Sequence, residues 1–203
     1  MRLTLSIIVV CIAVFIAQNI VPGFFETFAL VPALAVSGRY WQFFTYMFLH
    51  GSLFHIAINM LILFMFGALL ERAMGWRWYL TVFILSGIGS AFFHIALTGE
   101  SLIPMIGASG GVFGIVTAFA FMFPNTRFII FPLPVPIRAI HAVIGIAVLE
   151  LFLGIFNMAP GIASFGHLGG IITGVLIMLY WKYVRARRFR TKKEVREFEF
   201  YWE

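Results

Sequence analysis

Apolar residues fall along this chain in long unbroken blocks, not in the alternation of a strand or the one-sided stripe of a half-buried helix. A helix that crosses a hydrocarbon core about 30 Å thick needs roughly 20 such residues. Six blocks approach that length: 5–21, 53–70, 78–97, 109–123, 137–156 and 164–183. The second is closed by the charged pair Glu71 and Arg72, and the fifth follows a break containing Pro132, Pro134 and Pro136. The fourth is short for a span. The stretch before it, 99–108, contains Pro104 and Gly107, and irregular backbone at membrane depth is tolerated only where protein covers it or water lines it. The pattern therefore predicts that the fourth helix begins below the outer surface, at the floor of a wet cavity. The connection 22–52 holds Tyr40, Trp41, Phe43, Phe44, Tyr46 and Phe48, too aromatic for a segment dissolved in water, and is expected to lie in the membrane interface.

Composition narrows the class. Of 203 residues 62% are hydrophobic and 11% charged, where a soluble domain carries about 25% charged residues. A cytosolic globular domain is excluded, and a disordered chain with it. The predicted fold is all-α: a polytopic membrane bundle of six helices over 1–184, with a tail at 185–203 that is basic and then acidic and aromatic. The net charge of +6 is concentrated, since eight of the 14 Lys and Arg residues lie between Lys182 and Arg196. A basic cluster just beyond a span reads as an anchor on anionic lipid headgroups, not as a nucleic-acid surface. Six spans put both termini on one side. If that side is the cytoplasm it receives Arg2, Arg72, Arg77, Arg127, Arg138 and the eight tail residues, leaving only Arg39 outside. Trp76, Trp78 and Trp181 then fall at an inner aromatic belt. The first block lacks a basic n-region beyond Arg2 and a small-x-small cleavage site, so it is expected to be a retained helix and not a signal peptide. Cys11, the only cysteine, can form no intrachain disulfide or cysteine metal site.

Candidate chemistry begins at the head of the short fourth block, in Gly107-Ala108-Ser109-Gly110-Gly111. This matches the GxSxG nucleophile elbow, but the strand-turn-helix context is missing and the chain has no Asp, all eight acidic residues being Glu. Alone, such a cluster is better read as helix packing. His167 opens the sixth block, where Gly166, Gly170 and Gly174 share one helix face, and Gly110, Gly114 and Ala118 do the same on the fourth. Two small-residue faces let backbones approach, which brings Ser109 and His167 near each other at the outer ends. A serine hydroxyl needs such a base, because it is a weak nucleophile at its own pKa. A histidine packed in the bundle and bonded to a carbonyl is the competing reading, weakened because intramembrane ionisable groups are costly. His55 and Asn59, four residues apart, project from one face of the second block. They are suited to donate to a developing oxyanion, or simply to hydrogen-bond between helices.

Taken together, His55 and Asn59 in HGSLFHIAIN, the GASG of Gly107–Gly110, and His167 with Gly170 and Gly174 in GHLGGIITG closely resemble the rhomboid intramembrane serine proteases. Gly67, Glu71 and Gly75 fit that family's GxxxExxxG pattern, and the likeness runs over roughly 41–179. The resemblance implies a six-helix core in which Ser109 attacks a peptide bond, with His167 as general base and then general acid. His55, Asn59 and the backbone amide of Ser109 would form the oxyanion hole. It also implies a Ser-His dyad, which suits a chain without Asp, and an aromatic ring at Phe113 against the histidine. No cofactor or metal is implied. The expected partners are transmembrane protein substrates and the lipid bilayer, with no nucleic acid, and nothing in the residues indicates an oligomeric state. The expected location is a prokaryotic cytoplasmic membrane with both termini inside. A catalytically silent relative that escorts transmembrane helices is the main alternative, and it would lack the serine or the histidine. A small transporter would show internal repeats, which are missing.

Six residues stand outside that scheme. Gln42 follows Trp41 where the family often has arginine, which argues against a loop anchored by a salt bridge at that position. Glu71 reads as a structural hydrogen-bonding group. Glu150 lies about 20 Å along the fifth block at 1.5 Å per residue, near the expected catalytic depth, and reads as a structural or gating residue in preference to a partner of His167. His50, like His94 and His141, is given no role.

Overall fold

Within lipid only a helix satisfies every backbone N–H and C=O inside one segment, so each apolar block has one structural outcome. The computed structural model describes residues 2–129, 135–158 and 161–200, with 186–200 as backbone only. Helix α1 (Arg2–Ile20) is the first span. Three short helices follow, α2 (Phe24–Phe28), α3 (Pro32–Val36) and α4 (Gln42–Thr45), with a tight 3-10 turn at Tyr46–Phe48. The second span is α5 (Leu53–Ile62), a π-helical turn at Leu63–Gly67, and α6 (Ala68–Met74). Then come α7 (Trp76–Thr98) and the short α8 (Ser109–Met122). An antiparallel pair, β1 (Arg127–Ile129) with β2 (Pro136–Arg138), leads to α9 (Ala139–Phe156) and α10 (Ser164–Phe200). Five helical stretches are long and apolar enough to cross a membrane, α8 being the shorter sixth.

Three boundaries depart from the pattern of apolar blocks. α1 extends back to Arg2. The fifth span starts at Ala139, not 137, because Arg138 and Ile137 pair with Arg127 and Phe128. Pro132 and Pro134 lie outside the described residues. The helical backbone of α10 continues past residue 184 into the basic tail without a break.

The short helix is the centre of the molecule. Ten of the 14 residues of α8 are buried, as expected of a helix that is apolar on every side and enclosed by others. α10 meets it backbone to backbone. A Cβ on Gly174 would stand 3.1 Å from Cα of Gly114, and one on Gly170 would run into the Gly110 carbonyl. Gly110 and Gly114 turn their own Cβ positions toward Ser90 and Ser86 of α7, so α8 is clasped from two sides. Gly166 faces Met105 and Ser90.

The aromatic connection 22–52 is a folded cap over the end of the bundle where α8 begins, more than a segment resting in the interface. Leu30 and Met105 exchange backbone hydrogen bonds at 3.1 and 2.8 Å, and the Gly107 N–H donates to the Tyr46 carbonyl at 3.0 Å. Tyr46 is fully buried and its hydroxyl donates to the Gly87 carbonyl at 2.7 Å. Gln42 is fully buried too. Its Oε1 accepts from Val31 N–H at 3.1 Å and its Nε2 donates to the Thr27 carbonyl at 3.3 Å, so a neutral amide pins the cap. At the opposite end Glu71 accepts from the backbone of Leu3 and Thr4 and from the Thr4 hydroxyl, tying α6 to the start of α1.

Candidate active site

The site draws on α5, α8, α9 and α10 at one end of the bundle. Gly107, with φ of 119°, turns the chain into α8 through a conformation that L-residues rarely adopt. Ser109 is the first residue of that helix, where backbone N–H groups lack intrahelical acceptors. His167 lies in the first turn of α10. The glycine contacts between the two helices set their separation, and Ser109 Oγ stands 2.9 Å from His167 Nε2, across 58 positions of sequence. The ring of Phe113 lies 4.6 Å from the imidazole, tilted by 45°.

The opposite ring nitrogen is also engaged. His167 Nδ1 lies 2.9 Å from Glu150 Oε1, with 14% and 11% of the two side chains exposed. This corrects the reading of Glu150 as a structural or gating residue in preference to a partner of His167. Depth along the helix placed it at the right level, but sequence carries no information on which way α9 is rotated. The signal available was a lone carboxylate in an apolar span, which by default marks function.

On the second span, Ser52 caps α5 by accepting the His55 N–H at 3.1 Å. That cap sets the first turn, and His55 is directed at the elbow: a Cβ on Gly107 would stand 2.8 Å from its Nε2 and 3.8 Å from Ser109 Oγ. The Gly51 N–H donates to His55 Nδ1 over a long 3.4 Å. A backbone N–H only donates, so the ring hydrogen belongs on Nε2, beside the elbow at Gly107. Asn59 donates from Nδ2 to the His55 carbonyl at 2.9 Å, leaving its second N–H uncommitted by that bond. Among the described residues no hydrogen bond joins His55 or Asn59 directly to Ser109.

Two histidines given no role from sequence surround this group. The His50 ring packs edge-on against His55 at 5.1 Å, and Gln18 brackets the His50 backbone, donating to its carbonyl at 2.6 Å and accepting its N–H at 3.1 Å. Burial, with His55 adjacent, pushes the His50 imidazole down to about 4, so it is neutral at physiological pH. His94, half-buried on α7, lies near His167. His141 lies on the exposed face of α9.

A polytopic helical bundle with a serine hydroxyl and an imidazole meeting at one end defines a class of membrane protein, and the comparisons agree with it. Residues 37–183 match the Rhomboid domain, so the chain belongs to the rhomboid family. It is an integral membrane protein. It is 28% identical to Rhomboid protease AarA of Providencia stuartii over 204 residues, which is 87% of this chain and 71% of that protein. It is 32% identical to Rhomboid protein 1, mitochondrial, of Saccharomyces cerevisiae over 66% of this chain, and 30% identical to Rhomboid protease GluP of Bacillus subtilis over 70%. The match spans only 39% of the yeast protein and 26% of the Bacillus one. Proteases are thus named among its relatives from separate organisms, and intramembrane proteolysis is an activity of this family.

Proposed function

We propose that this chain is an intramembrane serine endopeptidase that cuts transmembrane or membrane-anchored proteins near the outer membrane surface. The observation that carries the proposal is the 2.9 Å contact between the half-buried Ser109 Oγ and His167 Nε2 at one end of the bundle. The imidazole takes the hydroxyl proton as Oγ bonds to the scissile carbonyl carbon. His167 then gives that proton to the departing amide nitrogen as the C–N bond breaks, leaving an acyl ester on Ser109. A water molecule, losing its proton to Nε2, attacks the ester, and the proton returns to Oγ. The net change is one peptide bond and one water converted to an acid and an amine.

Negative charge on the carbonyl oxygen is met by the Nε2–H of His55, the second N–H of Asn59 and the backbone N–H of Ser109. Phe113 limits tilting of the imidazole. Gly110, Gly114, Gly166, Gly170 and Gly174 serve by keeping α7, α8 and α10 close enough for the pair to meet. A substrate helix must unwind before its carbonyl can be reached, because helical backbone is already hydrogen-bonded. Segments with Gly, Ala or Pro near the outer boundary are the better substrates.

The charge distribution supports a prokaryotic cytoplasmic membrane with both termini inside, a membrane unit over 1–184 and a lipid-contacting tail at 185–203. The decisive experiment replaces Ser109 with Ala in the purified chain. Cleavage of a model transmembrane substrate and labelling by a fluorophosphonate both disappear; undiminished cleavage ends the serine-protease reading.

A further inference from the structure

α9 is, with α1, one of the two least enclosed spans, with side chains such as Val148, Leu149, Leu151, Phe152, Ile155 and Phe156 exposed along its outer half. One residue there is buried, and it is a carboxylate. Setting a Glu inside an apolar half-helix is costly unless a partner compensates it. The hydroxyl of Ser164 is close by, but the hydrogen-bond partner is the imidazole that also holds Ser109.

The two contacts of that ring fix its chemistry. Nε2 must accept the serine proton, so in the resting enzyme it carries no hydrogen and the hydrogen resides on Nδ1. An Nδ1–H 2.9 Å from a carboxylate oxygen is a charge-assisted hydrogen bond, and it selects that tautomer over the other. The same carboxylate faces the imidazolium that forms once the serine proton has moved.

We infer that Glu150 is the positioning residue for His167, so that this chain works with a Ser-His-Glu relay whose acid is carried by α9. The inference rests on the assignment of Ser109 and His167 above. Glu150 touches neither substrate nor the reacting oxygen, and it takes no proton. It holds the ring in the tautomer and direction that the serine needs, while Phe113 limits tilting of the ring. In a soluble triad, loss of the acid's negative charge costs about 10⁴ in turnover. Here the loss is smaller, because Phe113 and the α10 backbone still confine the ring.

The test uses the full chain with a transmembrane substrate in liposomes, comparing Glu150→Gln, Glu150→Leu and Glu150→Asp with Ser109→Ala. Gln keeps the volume without the charge, and Leu keeps apolar packing without either. Both lower kcat by roughly 10²-fold with KM changed less than about threefold, slow fluorophosphonate labelling of Ser109 in parallel, and abolish the far-downfield Nδ1 proton resonance of His167. Asp, which keeps the charge, recovers part of the turnover. Wild-type kcat in the Gln or Leu variant overturns the inference, as does a loss of kcat that merely follows a collapse in melting temperature and is equal in all three variants. Either result leaves the serine assignment standing if Ser109→Ala is inactive. If Ser109→Ala still cleaves, it is the protease reading that fails.

Discussion

At the scale of single residues the site depends on which hydrogen each ring carries. In the proposed mechanism His167 keeps its hydrogen toward Glu150 and His55 keeps its hydrogen toward the elbow at Gly107, so the two imidazoles take opposite roles, one accepting and one donating. His55→Ala removes a donor to the oxyanion without touching the base. It is expected to lower kcat by about 10² to 10³, the usual cost of one such donor, with little change in KM. Steady-state kinetics on a transmembrane substrate decide it; a raised KM at unchanged kcat would make His55 a binding residue instead. Much of this was legible beforehand. Ser109 and His167 were singled out from residue type and spacing, whereas the oxyanion roles of His55 and Asn59 and the ring at Phe113 came from the resemblance to rhomboids. Glu150 was not, because its role depends on the rotation of α9 about its axis, and a helix apolar nearly all round gives no moment from which to read that rotation.

Among elements, the α8–α10 contact determines whether the hydroxyl and imidazole meet at all. The recurrence of small residues every four positions on both helices predicted close approach, and the structure sets Gly170 against Gly110 and Gly174 against Gly114. The involvement of α7 was not legible, since Ser86 and Ser90 have no period that distinguishes them from other small residues of that helix. Gly170→Val places a branched Cβ against the Gly110 carbonyl, which is backbone and cannot rotate aside. The helices must separate, at a cost of about 1–3 kcal/mol for overpacking. Because a shift of about 1 Å at reacting atoms costs on the order of 10² in rate, cleavage falls further than stability does. Thermal melts and kcat measured together check this, with Gly145→Ala on α9 as the control, since no atom lies within 4 Å of the added methyl. A Gly170→Val variant as stable and active as the parent would show that this helix pair does not set the site geometry. The cap over 22–52 shows the opposite limit. Its aromatic content announced an apolar environment, yet the fully buried amide of Gln42 that pins it has no signature in a pattern of hydrophobic and polar positions.

For the whole molecule, the ends of the bundle differ in chemistry, and this gives the protein a direction in the membrane. The end with Ser109, His167 and Glu150 also carries the cap, while the other end gathers Arg2, Arg72, Arg77, Arg127, Arg138 and the basic part of α10. Trp78 packs against Tyr180 at 6.1 Å, and the guanidinium of Arg185 lies 4.8 Å from the centre of the Trp181 ring, so the aromatic belt and the charges fall at one level. Excess Lys and Arg in short connections is the pattern of a cytoplasmic face, and the proposed orientation puts that end inside. On that proposal the site end faces outward, and product fragments are released away from the cytoplasm. The single cysteine makes this measurable, because Cys11 is fully buried within the bundle and should stay silent to a membrane-impermeant maleimide. Leu102→Cys, in the exposed loop before α8, is expected to label in intact cells. Asn125→Cys, in the exposed turn after α8, is expected to label only once the membrane is permeabilised. The reverse pattern would put the charged end outside and the serine on the cytoplasmic face. The proposed cleavage near the outer surface would then have to be replaced by cleavage on the inner side, with the same residues and the same chemistry.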